Sequence, residues 1–298
     1  MRFFAPAKLN LSLDLGPVRA DGYHEIRTVM QAVSLGDRLF VAPAPRLRVE
    51  NPAVAGEDLV VRAATLFSDA TGVAARAQIR VDKRIPIGAG LGGGSSDAAC
   101  ALRALRATLL PALPWSELVA MARSLGSDVP FFLCAAPRAL AAGRGEVLSP
   151  LPPAPPLYAV IGWPGVGLGT ADVYRASRQG PGDATERVLA GAACARNDLA
   201  PTALALCPEL RRLVAAAGAE GVSLQVTGSG SAAFALYADP GEAAAALGVV
   251  RLLAPRAILC QTLQAWPCDP QAERGAAGTP DPGEDSGRRR RREPGPCA

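Results

Sequence analysis

The chain has 298 residues, 49% hydrophobic and 19% charged, with a formal net charge of +4. That length suffices for a large core in two lobes, and so modest a charge argues against a nucleic-acid binder. No apolar run reaches the length of a membrane span, and Met1-Arg2-Phe3-Phe4-Ala5-Pro6 lacks the apolar core of a signal peptide. Seven scattered cysteines without Cys-x-x-Cys spacing fit free buried thiols in a reducing cytoplasm better than disulfides or a metal cage. The expected partner is a small molecule, not a nucleic acid or a membrane, and the expected state is a cytoplasmic monomer or weak homodimer.

In chain order, residues 8–15 alternate apolar and polar and predict a half-buried strand. A turn at Ala20-Asp21-Gly22 leads to Tyr23-His24-Glu25 and a mixed apolar segment through Val33. Arg38 to Val41 and Leu47 to Val49 predict short strands, and Leu59 to Ser68 a helix. Ala77, Ile79 and Val81 alternate with polar residues as a strand running into Pro86-Ile87-Gly88-Ala89-Gly90-Leu91-Gly92-Gly93-Gly94-Ser95-Ser96-Asp97-Ala98-Ala99.

The five glycines of that segment remove side chains that would keep a ligand from the backbone. Ser95, Ser96 and Asp97 open a helix whose Ala98, Ala101, Leu102, Leu105 and Leu109 recur on one face. A glycine loop entering a helix N-terminus supplies unpaired N–H groups and partial positive charge, the requirements of a phosphate site. It is not a P-loop, because no Gly-Lys-Ser/Thr closes it, and no acidic residue follows as a dinucleotide fingerprint requires.

Ser116 predicts an N-cap for a helix over Glu117 to Leu125, closed by Gly126. The prolines at 150, 152, 153, 155 and 156 mark a boundary between a lobe over 1–150 and another over 151–266. Beyond them come a strand (Tyr158 to Trp163), helices near 170–178, 186–195 and 208–217, and strands at Leu224 to Val226 and Ala232 to Tyr237. A helix (240–248) and a strand (Ala257 to Ala265) complete the set. The core order β-α-β-β-α-β is a split arrangement of ferredoxin-like type, so the fold class is α+β. Residues 267–298, rich in Pro, Gly and balanced charges, predict a disordered tail that includes Arg288 to Arg292.

Lys8 and Lys83 are the only lysines, against 29 arginines. In a chain that uses arginine so freely, a retained lysine marks a place where a compact ammonium is needed.

Three segments now fit one template: Pro6-Ala7-Lys8-Leu9-Asn10-Leu11, Pro86 to Ala99, and Val226-Thr227-Gly228-Ser229-Gly230-Ser231-Ala232-Ala233. Their order resembles the three motifs of the GHMP kinase superfamily. Arg19 to His24, Gly126 to Phe132, Gly143-Arg144-Gly145-Glu146 and Asn197-Asp198-Leu199 narrow the resemblance to a branch acting on a cytidine-bearing alcohol in isoprenoid precursor synthesis. The resemblance covers roughly residues 3–265. It implies a ribosomal S5 domain 2-like N-terminal lobe, a ferredoxin-like C-terminal lobe, and ATP with Mg²⁺ beside the substrate in the cleft between them. ATP would be held by Lys83, Pro86, Gly88, Ala89, Gly90, Leu91, Gly92, Gly93, Gly94, Ser95 and Ser96.

The same resemblance makes Asp128 the catalytic base, with Lys8 beside it. Asn10, Tyr23, His24, Tyr174, Gly228 and Ser229 join Asp128 against the substrate. No protein cage of metal ligands is expected; Mg²⁺ comes with ATP and has Ser96 as a contact. From the residues alone, Asp128 also reads as a cap after Gly126, and Ser95 or Ser96 as plain helix caps. Another GHMP kinase would share the three motifs without a use for Tyr23-His24 or the Ser127 to Phe132 segment. A non-catalytic binder on the scaffold is opposed by the presence of both Lys8 and Asp128. One departure stands out: Asp58 occupies the place of an adenine-contacting Asn, and a carboxylate cannot donate a hydrogen bond.

Overall fold

The computed structural model describes residues 1–54, 56–134 and 136–267. The tail expected over 267–298 therefore lies, Pro267 apart, outside the described residues. The N-terminal part comprises β1 (Arg2–Asn10), β2 (Asp14–Val18), β3 (His24–Pro43), β4 (Arg48–Glu50), α1 (Leu59–Thr71) and β5 (Ala77–Asp82). It continues through α2 (Gly93–Leu109), α3 (Trp115–Leu125), a 3₁₀ turn (Val129–Leu133), β6 (Arg138–Ala142) and β7 (Val147–Pro150).

β3 is the spine. β1, β2, β5 and β6 all pair antiparallel to it, β4 joins β5 in parallel, and β7 extends β6. The sequence predicts only Arg38 to Val41 of β3 as strand, because Thr28 to Val33 are buried without interruption and show no alternation. The strand expected over 8–15 instead ends at Asn10, and β2 begins at Asp14. Between them Ser12 turns inward to Thr185 Oγ1 at 3.0 Å, and the Asp14 carboxylate accepts the N–H groups of Ala184 and Thr185.

α1 is capped by Asp58, whose carboxylate accepts the Val60 N–H at 2.8 Å. α2 starts at Gly93, two residues before Ser95, so the last loop glycines already belong to its first turn. α3 starts at Trp115, and no side chain caps it. Ser116 is thus not the N-cap; Pro114 occupies that position with φ preset near the helical value, and its carbonyl accepts from Glu117.

The C-terminal part contains β8 (Tyr158–Trp163), α4 (Thr170–Ala176), α5 (Ala184–Leu189), α6 (Ala200–Leu206), α7 (Pro208–Ala219), β9 (Gln225–Val226), β10 (Ala233–Tyr237), α8 (Pro240–Leu253) and β11 (Arg256–Gln261). Its antiparallel sheet has the order β11-β8-β10-β9, the pairing expected of a split β-α-β-β-α-β unit. The helix expected over 186–195 stops at Leu189, just before Gly191 at a φ of +111°. β11 ends at Gln261, not Ala265, because Thr262 and Leu263 cross to Val33 and Ala32 of β3. Among the described residues no helix is long and apolar enough to cross a membrane.

Each sheet has its own core, and a third apolar cluster joins them. Ala7, Leu9, Val29 and Val33 pack with Ala159, Ile161, Phe234 and Cys260.

Candidate active site

The reacting centre is built on β1. Lys8 is 3% exposed, and its Nζ donates to Asn10 Oδ1 at 2.6 Å and lies 3.2 Å from Asp128 Oδ2. Asn10 is itself fixed: its N–H donates to Thr227 Oγ1 and its amide to Thr28 Oγ1, both at 2.9 Å. Asp128 opens the 3₁₀ turn but makes no side-chain cap bond, so its carboxylate serves Lys8 and not the backbone. At 31% side-chain exposure the carboxylate keeps an open side, whereas the ammonium is enclosed. A buried cation with a half-open carboxylate can take a proton from an alcohol and hold the charge that develops.

The glycine loop lies against this pair. Its Leu91 carbonyl accepts the Lys8 N–H at 3.0 Å. Gly90, at a φ of +77°, passes so close to the 227–230 turn that an added Cβ would sit 2.5 Å from the Thr227 carbonyl oxygen. Gly92 comes near Lys8, with its Cγ 3.0 Å from where a Cβ would stand. The second turn is stapled by Asn197, whose amide donates to the carbonyls of Val226 (2.9 Å) and Gly228 (2.8 Å) while its oxygen accepts the Leu199 N–H. Ser229 is 5% exposed and bonds Thr170 Oγ1 at 3.0 Å. Sequence reasoning finds Asn197 only as part of a resembling segment. Its partners lie 29 and 31 residues away, so no local pattern could reveal the staple.

The expected nucleotide residues do not all face outward. Gly88, Gly90, Gly92, Gly93, Gly94 and Ser95 line the loop's accessible side, while Pro86, Ala89 and Leu91 are buried beneath it. Ser96 is 1% exposed and lines a narrow cleft with Phe4, Pro6, Cys100, Phe132 and Trp266. The Ser96 hydroxyl has no hydrogen-bond partner among the described residues, and the half-buried Ser95 lies about 100° round the helix from it. Lys83 also turns inward and bridges Asp37 and Asp97 at 2.5 and 2.7 Å.

Burial pushes the Asp97 carboxyl from 3.8 up to about 8, with the Asp37 charge adding to the rise and Lys83 opposing it. Between those values the folded protein keeps a proton that the unfolded chain has released. The Asp97 contribution to stability therefore falls as pH climbs from about 4 to about 8. Asp97→Asn removes that slope, so the melting temperature at pH 8 moves closer to that at pH 5 than in the wild type. An unchanged difference would mean that Asp97 stays ionised when folded.

At the other end of the cleft, His24 and Tyr174 rings lie 6.3 Å apart at 41°. The Tyr174 hydroxyl is held above its usual range, first by burial and then by the negative charge of Asp128. Tyr23 is 54% exposed, with the Arg144 guanidinium 4.8 Å from its ring centre, and His24 Nδ1 bonds the Gly16 carbonyl. Asp58, besides capping α1, accepts the Asn51 amide at 2.8 Å, so both of its oxygens are engaged.

A glycine loop entering a helix, an enclosed lysine with a half-open aspartate beside it, and a ferredoxin-like sheet are the parts a small-molecule kinase of the GHMP class requires. Residues 58–136 match the GHMP kinases N terminal domain and residues 184–252 the GHMP kinases C terminal domain. The chain is 44% identical over 263 residues to a 4-diphosphocytidyl-2-C-methyl-D-erythritol kinase of Thermus thermophilus, spanning 84% of this chain and 93% of that one. With the enzyme of the same name from Paramagnetospirillum magneticum it shares 39% identity over 260 residues, covering 81% and 90%. The chain belongs to this family of 4-diphosphocytidyl-2-C-methyl-D-erythritol kinases within the GHMP kinases. A crystal structure of 4-(cytidine 5'-diphospho)-2C-methyl-D-erythritol kinase superposes with a TM-score of 0.75 at 41% identity, over 88% of this chain and 99% of that chain. Homoserine kinase from Cytophaga hutchinsonii, at 17% identity and a TM-score of 0.66, shares the fold over 88% of this chain and 94% of its own.

Proposed function

We propose that this chain transfers the γ-phosphoryl group of ATP to the 2-hydroxyl of 4-diphosphocytidyl-2-C-methyl-D-erythritol, with residues 1–150 forming the ATP-binding lobe and 151–266 the lobe that closes the site. The observation that carries the reading is the enclosed Lys8 ammonium between Asn10 and Asp128, directly beside the glycine loop.

Asp128 accepts the proton of the substrate hydroxyl as the oxygen approaches the phosphorus. Lys8, 3.2 Å from Asp128, offsets the negative charge gathering on the transferring group. Asn10 orients Lys8 and, with Gly228 and Ser229, walls the pocket where the hydroxyl must sit. The loop from Gly88 to Gly94 and the N-terminus of α2 hold the phosphates.

Mg²⁺ bound to the nucleotide neutralises its phosphate oxygens. It would arrive with ATP, and the hydroxyls of Ser95 and Ser96 in the first turn of α2 are the side chains that would meet it. Tyr174 and Tyr23 stack on the cytosine, and His24 bonds its polar edge.

A coupled assay of ATP consumption across a panel of alcohols tests the reading. Turnover is expected with the cytidylyl alcohol and none with homoserine, mevalonate or galactose. A site built around hydrogen bonds rejects a ligand lacking them by about 10⁴-fold. Tyr174→Ala raises the KM for the cytidylyl alcohol by roughly 10- to 100-fold and spares that for ATP, as loss of ground-state stacking requires. Turnover of one of the other alcohols, with none of the cytidylyl compound, would reject the assignment.

A further inference from the structure

Both lysines of the chain end on carboxylates, but only Lys8 borders the reacting centre. Lys83 lies beneath the glycine loop. Its Nζ is 2.5 Å from Asp37 Oδ2 and 2.7 Å from Asp97 Oδ2, and its side chain is 8% exposed against 0% and 2% for the two carboxylates. The second oxygen of Asp37 accepts the main-chain N–H groups of Arg84 and Ile85. Asp37 belongs to β3, Arg84 and Ile85 to the segment that enters the loop, and Asp97 to the start of α2. Three pieces of the loop's frame therefore converge on one ammonium.

The fit is close. A Cβ at Gly93 would stand 3.2 Å from Lys83 Nζ and 3.0 Å from Ile85 Cγ2, so the ammonium lies directly under the first residue of the helix. A planar guanidinium needs more room than that and presents its donors as a flat fork instead of a point. This is a physical reason for a lysine here in a chain with 29 arginines.

We infer that Lys83 is a positioning residue for the nucleotide: it ties the start of α2 to β3 and to the loop entrance, and so aims the loop's N–H groups at the phosphates without touching them. The inference rests on the ATP reading above. A misaimed loop weakens ATP equally before and during phosphoryl transfer, so the loss falls on KM for ATP and spares kcat. The side chains proposed to bind the alcohol, on β1, the 227–230 turn and the aromatic rim, include none of the three triad residues, so its KM changes less than that for ATP.

Removing the lysine alone would leave the fully buried Asp37 carboxylate without its cation and risks unfolding the chain. Two variants limit that risk. Lys83→Arg keeps the charge but not the shape. Lys83→Met combined with Asp97→Asn leaves only Asp37, which still has its two main-chain donors. Steady-state kinetics on the purified full chain, with both substrates varied and melting temperatures recorded, give the readout. The KM for ATP is expected to rise on the order of 10- to 100-fold in the double variant and less in Lys83→Arg, with kcat within about threefold. Folded variants with the wild-type KM for ATP, whatever their melting temperatures, would make the triad merely structural and overturn the inference. A loss confined to kcat would overturn it too. A wild-type chain that consumes no ATP would instead reject the ATP reading itself.

Discussion

Asp128→Asn lowers kcat by about 10²–10⁴ while the KM values for ATP and alcohol stay close to those of the wild type. The amide has the size of the carboxylate and keeps an oxygen that can accept from Lys8 Nζ, which lies 3.2 Å from Oδ2 in the wild type. Lys8 retains Asn10 Oδ1 at 2.6 Å in any case, so the enclosed ammonium is not left without a partner. On the proposed mechanism, what is lost is the basic carboxylate that would take the alcohol proton. Single-turnover measurement of phosphoryl transfer isolates that step from product release. Near-normal transfer in the variant would leave Asp128 with the structural task of holding Lys8.

Gly90→Ala is expected to abolish measurable activity, with the KM for ATP raised by roughly two orders of magnitude or more where turnover can still be followed. A left-handed φ of +77° costs a non-glycine residue roughly 1–2 kcal/mol by itself. Space is the larger problem. The new methyl would meet the Thr227 carbonyl oxygen at 2.5 Å and the Gly230 backbone at 2.9 and 3.0 Å, and none of these atoms can rotate away. The loop and the 227–230 turn must part, which moves Thr227 from Asn10 and the loop from Lys8. Gly218→Ala, in α7 and with nothing within 4 Å of its new Cβ, is the control. Equal kinetics for the two variants would show that the two turns do not need their close approach.

The parts of this site that can be read from the sequence are those where function is written into consecutive residues. The glycine run, the helix that follows it, and the single lysine in Pro6 to Leu11 each carry a local chemical signal. The parts that stay hidden depend on partners far along the chain. Thr227 meets Asn10 across 217 residues, and Asp37 reaches Lys83 across 46. Two adjacent serines read as interchangeable while the helix phase is unknown; once α2 begins at Gly93, Ser96 rotates into the interior. β3 is half invisible for a different reason, since a strand covered on both faces has no alternation to betray it. Asp58 caps α1 through one carboxylate oxygen and holds the Asn51 amide with the other.

The apolar cluster that joins Ala7, Leu9 and Val29 to Ala159, Ile161 and Phe234 bears on how a ligand arrives. Two bodies that share a dry interior cannot part without exposing it, and each buried aliphatic side chain would forfeit about 1.5–3 kcal/mol in the attempt. The cleft is therefore a fixed vise and not a pair of jaws. Its ordering cost is met when the chain folds, before any substrate is met, so encounter is governed by diffusion and by side chains at the rim such as Tyr23 and Arg144. Inhibitors of such a vise gain more from matching its standing shape than from trapping an open form.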